Sequence, residues 1–168
     1  GKFLKNNEER MIFYCKGVIK TVKKLGWSPE IIHCQGWFSS LIPLYIKKVY
    51  NEDPLFKDTK VIYNVFNTDF KGSLDTGVID KLLFERKLEI KDLEPLKNPN
   101  YTNLNKFAID YSDAVIQGSK SIDYEILKHI KQSRLPFMNY PGEEEYEDDY
   151  NNFFESLVEK EELVLSEK

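Results

Sequence analysis

Three short apolar runs, separated by stretches of helical character, impose the strongest constraint on how this chain can fold. They read EIIHC (30–34), KVIYNVF (60–66) and DAVIQGS (113–119). Runs of this length are typical of strands that are buried on both faces, as in parallel sheets. Helices are predicted over residues 7–25, 38–50, 78–88, 101–111 and 120–131. The alternation predicts an α/β fold in which a parallel sheet lies between two layers of helices.

Two further stretches bear on the organisation of the chain. KDLEPLKNPN (91–100) is polar and contains two prolines, so it is interpreted as a linker. PFMNYP (136–141) fits either a short fourth strand or an extended segment. No internal repeat is present. Residues 1–168 are therefore interpreted as belonging to a single domain.

The last predicted helix, at about residues 143–160, has two contrasting features. Six of the seven residues 143–149 are acidic, which is typical of a solvated helix N-terminus because the helix dipole favours negative charge there. One face carries Tyr146, Tyr150, Phe153, Phe154 and Leu157. This face is predicted to pack on the sheet or, if the sheet is incomplete, to mediate self-association.

Charge and composition exclude several classes of function. The net charge of −4 disfavours nucleic-acid binding over a broad surface, since such surfaces are usually basic. No segment has the roughly 18 consecutive apolar residues of a membrane span, and no signal-peptide pattern is present. Cys15 and Cys34 lie in apolar patterns, which favours reduced thiols and a cytoplasmic protein. With His33 and His129 they form no metal-ligand spacing, so no metal site is expected.

Three segments together resemble one protein family. LGWSPEIIHCQGWFSSLIPLYIKKVY resembles the stretch of bacterial glycogen synthases and plant starch synthases with the pattern W-x-P-D-V-I-H-A-H-D-W-H-T-x-L-x-P-x-Y-L. KVIYNVFNTDFKG looks like that family's V-x-T-V-H-N-L-x-Y-Q-G. NLNKFAIDYSDAVIQGSKSIDYEIL looks like its F-L-K-A-G-I-x-Y-A-D-x-V-x-T-V-S-P-x-Y-A-x-E-I. The three segments occur in the family's order and cover about residues 25–127.

The resemblance implies both a fold and an activity. Members of this family are retaining glucosyltransferases that move glucose from a sugar nucleotide, usually ADP-glucose, to an α-1,4-glucan. Their GT-B fold has two Rossmann-like domains that face each other across a cleft. This chain resembles the later part of the first, acceptor-side domain, so residues 1–168 are expected to form a partial Rossmann-like domain. The expected partners are the glucan and the sugar nucleotide, and the family implies no cofactor.

Several family positions are retained here and others are changed. The family's H-D-W-H corresponds to residues 35–38, where only Trp37 is retained and the carboxylate becomes Gly36. His33 matches the histidine two residues upstream. Phe66 stands where the family has a sugar-contacting histidine. No catalytic residue is therefore assigned in this chain.

Five residues are candidates for substrate binding by this resemblance: Trp37, Asn67, Gly36, Gly72 and His33. Trp37 either offers a stacking face to a sugar or anchors the core. Asn67 either contacts the ligand beyond a strand end or forms a turn with its own backbone. His33 either lines the cleft or is structural. Ser119 matches the serine of the third motif, and the strand ends near Trp37, Asn67 and Ser119 are expected to converge on one edge of the sheet.

The changed positions leave two functions open. The first is a glucosyltransferase domain, although the family's lysine-threonine-glycine-glycine loop has no match in this sequence. The second is a non-catalytic glucan-binding or regulatory module, because a phenyl ring cannot donate the hydrogen bond that an imidazole can. A plain interaction scaffold is a third alternative. Because this chain alone lacks a complete family active site, its sequence leaves the choice open.

Overall fold

The computed structural model describes residues 4–144 and 146–166 of the chain. The α-helices in this part are α1 Asn7–Leu25, α2 Leu41–Leu44, α3 Val78–Leu82, α4 Tyr101–Asp110, α5 Tyr124–Ser133 and α6 Tyr146–Ser166. The strands are β1 Ile31–Gln35, β2 Lys60–Val65, β3 Ala114–Gln117 and β4 Phe137–Met138. Two 3-10 helices lie at Trp37–Ser39 and Ile90–Lys97, and a π-helical turn lies at Tyr45–Val49.

The four strands form one parallel sheet in the order β1-β2-β3-β4. Ile31 pairs with Lys60, and Ile62 pairs with Ala114. The three apolar runs are therefore neighbouring strands, and the segment 136–141 contributes the short fourth strand. Because the strands run in one direction, the carboxyl ends of β1, β2 and β3 lie at the same edge. The predicted parallel α/β sheet and the convergence of its strand ends are both confirmed.

The helices α1 to α5 pack together on one face of the sheet. Their buried apolar side chains contact every second residue of β2, because successive strand residues point to opposite faces. The main contributors from the helices are Met11, Cys15, Ile19, Leu41, Leu44, Leu104, Phe107, Ile126 and Ile130. From the strands, Val61, Tyr63, Val65 and Val115 complete this core.

The helix α6 covers the other face of the sheet. Its Leu157 packs with a buried cluster of strand residues formed by Ile62, Ala114 and Ile116. Tyr150, Phe153 and Phe154 pack against the same cluster, which confirms the predicted packing of this helix on the sheet. Tyr146, the remaining aromatic residue of this face, packs on the ring of Tyr150 instead of the strand cluster, and its side chain is 45% exposed. Although α1 and α6 are long, no helix in the described part of the chain is apolar enough to cross a membrane.

Three predicted helices differ in extent from those observed. The stretch 38–50 is divided into a 3-10 helix, α2 and a π-helical turn, and it contains Pro43, which has no backbone N–H to donate. The helix predicted over 78–88 ends at Leu82, after which the chain continues in turns closed by bonds between residues three apart. The helix predicted over 120–131 begins at Tyr124, because the Asp123 side chain caps its first turn.

The predicted linker over 91–100 is wrong. The segment Ile90–Lys97 is a 3-10 helix, and its Leu93 and Leu96 are buried in the main core. Asp92 accepts a hydrogen bond from the Glu89 backbone N–H at 3.0 Å, which closes the start of this helix. Two leucines three residues apart are enough to bury one side of such a short helix, although its composition is polar.

Tyr63 and Asn105 form a buried polar pair between β2 and α4. The Tyr63 hydroxyl donates to Asn105 Oδ1 at 2.9 Å, and Asn105 Nδ2 donates to the Tyr101 carbonyl at 2.7 Å. Both side chains are fully buried. Burial holds the pKa of Tyr63 well above its usual range, so the hydroxyl remains a donor.

We expect Tyr63→Phe to lower the free energy of unfolding by about 1–3 kcal/mol, because it leaves Asn105 Oδ1 buried without a donor. The control Tyr124→Phe removes the same atom from a side chain that is 72% exposed, and it should change the free energy by less than about 0.5 kcal/mol. Urea unfolding followed by circular dichroism measures both. Equal effects of the two variants would contradict a stabilising buried pair.

Candidate functional site

Two open cavities adjoin the end of β2 at the carboxyl edge of the sheet. Phe66 lines the first cavity, and Asn67 lines the second. The first, called the tyrosine cavity, has a volume of about 450 Å³ and is lined by Gln35, Asn64, Phe66, Gly118, Tyr140, Pro141, Gly142, Glu143, Tyr146 and Tyr150. The second, called the loop cavity, has a volume of about 430 Å³ and is lined by Asn67, Asp69, Phe70, Gly72, Asn100, Tyr101, Thr102, Ser121, Ile122 and Asp123.

The loop cavity is held together by hydrogen bonds between loops that follow different strands. The backbone N–H of Asn67 donates to Ser119 Oγ at 2.9 Å, which joins the loop after β2 to the loop after β3. The Tyr101 hydroxyl donates to the Phe66 carbonyl oxygen. Gly72 has a φ of +86°, a conformation that favours glycine. Of the residues predicted from sequence, Asn67 and Gly72 line this cavity.

The lining of the loop cavity consists largely of neutral and acidic polar groups. Asn100 Oδ1 accepts from the Asn103 N–H at 2.8 Å, and Asp123 Oδ1 accepts from the Ile126 N–H at 3.1 Å. These bonds cap α4 and α5. Neither cavity has a lysine or arginine among its described lining residues. The amide, hydroxyl and carboxylate groups can bind sugar hydroxyls, whereas a phosphate finds no cation here.

Gly36 and Trp37 lie at the same edge, directly after β1. Gly36 has a φ of +67°, and its N–H donates to the Asn64 carbonyl at 2.9 Å. The half-buried indole of Trp37 packs on Phe70, with 4.8 Å between ring centroids, and on Phe38, with 5.2 Å. Neither Gly36 nor Trp37 is among the residues that line the two cavities. Trp37 meets the loop cavity through Phe70, and a direct contact with substrate stays a prediction.

His33 lies within β1 and packs beneath α6. Its ring centroid is 5.7 Å from that of Tyr150 and 5.4 Å from that of Phe154. The Nε2 atom of His33 is buried and has no hydrogen-bond partner. Burial lowers the pKa of His33, because a charged imidazole loses its hydration there. A role for His33 in binding substrate stays a prediction.

Asn64 and Gly118 line the tyrosine cavity, and sequence reasoning missed both. Asn64 Nδ2 donates to the Tyr150 hydroxyl at 2.8 Å, while Asn64 Oδ1 is buried without a partner. A Cβ atom at position 118 would lie 2.1 Å from Asn64 Oδ1 and 2.8 Å from Phe66 Cε1, so the site requires glycine. One sequence signal was available, because Asn64 interrupts the otherwise apolar character of KVIYNVF.

The comparison with protein families identifies this arrangement. A family model for the starch synthase catalytic domain matches residues 2–137. The chain belongs to the starch synthase catalytic domain family. The resemblance to glycogen and starch synthases in the sequence is thereby confirmed. The matched region contains all four strands except the last residue of β4, and it ends before the segment that carries Tyr140 and α6.

Individual relatives of this family agree with the assignment. The glycogen synthase of Chlorobium luteolum is 45% identical over 85 residues, which cover 51% of this chain and 17% of that protein. The glycogen synthase of Pelodictyon phaeoclathratiforme is 32% identical over 127 residues, which cover 76% of this chain and 25% of that protein. The glycogen synthase of Clostridium perfringens is 32% identical over 123 residues, or 70% of this chain and 24% of that protein. The chain thus spans a quarter or less of the length of these curated relatives.

One solved structure shares the fold. It is the catalytic domain of starch synthase IV from Arabidopsis thaliana bound to ADP and acarbose. It superimposes with a TM-score of 0.62 and 16% sequence identity over 83% of this chain and 30% of that chain. The predicted partial Rossmann-like domain of a GT-B glycosyltransferase is therefore confirmed as the fold class.

We expect Gly118→Ala to lower the free energy of unfolding by about 1–3 kcal/mol, because the new methyl group would overlap Asn64 and Phe66. The control Gly17→Ala lies inside α1, where the added Cβ meets no atom within 4 Å apart from its chain neighbours and the backbone of the helix, and it should stabilise by about 0.5–1 kcal/mol. Urea unfolding measures both variants. A neutral Gly118→Ala would show that Asn64 does not pack on this glycine.

We expect acid to destabilise the protein partly through His33. Its pKa is lower in the folded state, so the unfolded state binds the proton more readily and the free energy of unfolding falls as the pH falls from about 7 to about 5. His33→Phe keeps a ring against Tyr150 and Phe154 and should flatten this pH dependence. Urea unfolding at a series of pH values measures the slope, and identical slopes would contradict the assignment.

Proposed function

We propose that this chain is part of the acceptor-side domain of a glucosyltransferase that transfers glucose from ADP-glucose to an α-1,4-glucan. The observation that carries the proposal is the family match over residues 2–137, which contains the loops after β1, β2 and β3. These loops meet at the carboxyl edge of a parallel sheet, where ligands of open α/β folds bind. The related starch synthase IV catalytic domain was solved with ADP and acarbose bound.

Asn67 and Gly72 are the residues of this chain that we assign to the substrate side of the loop cavity. The Ser119 hydroxyl accepts a hydrogen bond from the Asn67 backbone N–H, and the exposed Asn67 side chain lines the cavity, where its amide can bind a sugar hydroxyl. The positive φ of Gly72 lets the loop after β2 turn back along the same cavity. Gly36 and Trp37 lie at the same carboxyl edge of the sheet, directly after β1, and Trp37 packs on Phe70 of the loop cavity. A direct role for His33 is compatible only with a rearrangement of α6.

The nucleotide phosphates require groups that the two cavities do not supply. A phosphate leaving group needs cations or oriented donors in place as negative charge develops. Lysine and arginine are missing from the described lining of both cavities. In this proposal the phosphate contacts come from a different part of the full-length protein, and this chain contributes contacts to the sugar.

A non-catalytic glucan-binding or regulatory module is the second candidate. Phe66 favours it, because this residue stands in place of the family's sugar-contacting histidine and its ring has no hydrogen-bond donor. A site without that donor would lose roughly 1–3 kcal/mol of binding in the transition state. Cytoplasmic location and self-association through α6 stay predictions under either candidate.

The full-length protein should incorporate radiolabelled glucose from ADP-glucose into glycogen above a blank without enzyme. UDP-glucose, tested in parallel, determines the choice of donor. Asn67→Ala should lower kcat/KM by about tenfold, the cost of one lost hydrogen bond to the sugar. The control Asn152→Ala removes the same amide from an exposed position on α6 and should leave kcat/KM unchanged.

Two results would decide against glucose transfer. If no glucose is incorporated and glycogen still retards the protein in affinity electrophoresis, the non-catalytic module is the better assignment. If neither incorporation nor retardation is observed, the chain acts as an interaction scaffold. An equal kcat/KM for Asn67→Ala and Asn152→Ala would remove Asn67 from the site while leaving the activity in place.

A further inference from the structure

We infer that the solvent-facing side of α1 is an interaction surface for a second copy of this chain, which docks there through its acidic segment 143–149. The surface on α1, called the α1 stripe, is a row of residues at intervals of three and four. Residues at these intervals lie on one face of a helix. The α1 stripe consists of Arg10, Phe13, Gly17, Lys20 and Lys24.

The α1 stripe carries positive charge that the monomer leaves unpaired. Residues 10–24 contain five cationic residues and no acidic one, although the net charge of the chain is −4. Two of the five are paired within the molecule, because Lys16 contacts Glu85 at 2.6 Å and Lys23 contacts Asp53. The other three belong to the α1 stripe and make no ion pair with a described residue. Carboxylates of a partner can therefore pair with them.

A shallow groove of about 350 Å³ lies at the middle of the α1 stripe. Phe13 lines this groove, and its side chain is 81% exposed. Apart from the chain neighbours and the helix backbone, a Cβ at Gly17 would meet no atom within 4 Å, so the space beside Phe13 is open. Lys20 also lines the groove, while the carboxylate of Glu9 in the groove is paired with Lys81 at 2.8 Å. The groove therefore fits an aromatic side chain that has acidic neighbours.

The chain carries a segment of this kind at the start of α6. Residues 143–149 read EEEYEDD. The described acidic residues of the segment are exposed and make no ion pair with a described residue. Tyr146 lies among them and is 45% exposed, so part of its ring is available to pack on Phe13. Complementary charge on two exposed surfaces steers their encounter and fixes their register.

The two surfaces cannot meet within one molecule. The helix α1 packs in the core on one face of the sheet, and α6 packs on the cluster of the other face. The contact must therefore form between copies. Because it joins two different surfaces, each pair of copies retains one free surface of each kind, and further copies can be added. The aromatic face of α6 is not used, since the sheet already covers it.

Other macromolecules fit the α1 stripe less well. A helix that binds a membrane surface inserts an apolar face, whereas α1 buries Met11, Cys15 and Ile19 in the core. A nucleic acid is bound over a broad basic surface, which a chain with a net charge of −4 does not favour. An acidic segment with a central aromatic residue matches both the charge and the groove.

Sedimentation velocity of the full-length protein over a series of concentrations tests the contact. We expect the weight-average sedimentation coefficient to rise with concentration at about 20 mM salt. The rise should largely disappear at about 500 mM salt, because the screening length falls from roughly 20 Å to roughly 4 Å. Arg10→Glu/Lys20→Glu/Lys24→Glu, called the stripe variant, should weaken association by at least about tenfold in Kd. The control Lys120→Glu/Lys128→Glu/Lys131→Glu changes the charge equally at exposed positions elsewhere and should associate as the unchanged protein does.

Exchange of the charges supplies the second part of the test. Glu144→Lys/Glu147→Lys/Asp148→Lys/Asp149→Lys, called the segment variant, should also lose association, because both of its surfaces are then basic. A chain with all seven substitutions has opposite charges on the two surfaces again, and its net charge is close to that of the unchanged protein. It should regain the association. Circular dichroism establishes that each variant keeps its helices. The substituted residues lie outside the described lining of the two cavities at the sheet edge, so association is measured independently of glucose transfer.

Several outcomes would overturn this contact. Sedimentation that is independent of concentration at low salt is one, and a control variant that loses as much association as the stripe variant is another. A chain with all seven substitutions that remains monomeric is a third. Cosedimentation with phosphatidylserine vesicles tests a lipid surface as the occupant. Vesicle binding that the stripe variant abolishes, without association of copies, would assign the α1 stripe to the membrane instead.

Discussion

The parallel pairing of β1, β2 and β3 is the constraint on which the rest of the structure depends. It places the ends of three strands that are far apart in sequence at one edge. Two glycines extend this pairing into the loops, because the Gly36 N–H donates to the Asn64 carbonyl at 2.9 Å and the Gly118 N–H donates to the Val65 carbonyl at 2.8 Å. The loops therefore leave the sheet from fixed positions. Because these loops line both cavities, the register of the strands determines where the cavities form.

Local patterns in the sequence were sufficient for the strands and their direction. Apolar runs predict buried strands because such a strand needs apolar residues on both of its faces. The sequence did not predict the 3-10 helix at Ile90–Lys97, since only two of its apolar side chains, Leu93 and Leu96, are buried and the prolines of 91–100 suggested a linker. The starts of helices were missed where a single side chain such as Asp123 decides them.

The candidate site was only partly accessible to the same reasoning. Asn67 was found because it follows a strand directly, and it does line a cavity. Asn64 and Tyr150 are 86 residues apart and meet only after α6 has packed across the sheet, so no local pattern reports their contact. Phe66 was singled out through the family resemblance alone, and the folded protein adds that its ring adjoins Gly118. Among the described residues that line the two cavities there is no lysine or arginine to pair with a phosphate.

The packing of α6 has a consequence for where this polypeptide can be divided. The family match stops at residue 137, yet within the described residues it is Leu157 of α6 that joins Ile62, Ala114 and Ile116 in their cluster. Truncation of the chain at residue 137 would expose these three side chains to water as an apolar surface on the sheet. Such a truncated protein is expected to aggregate during purification. A shortened version should therefore end after α6 and not at the limit of the family match.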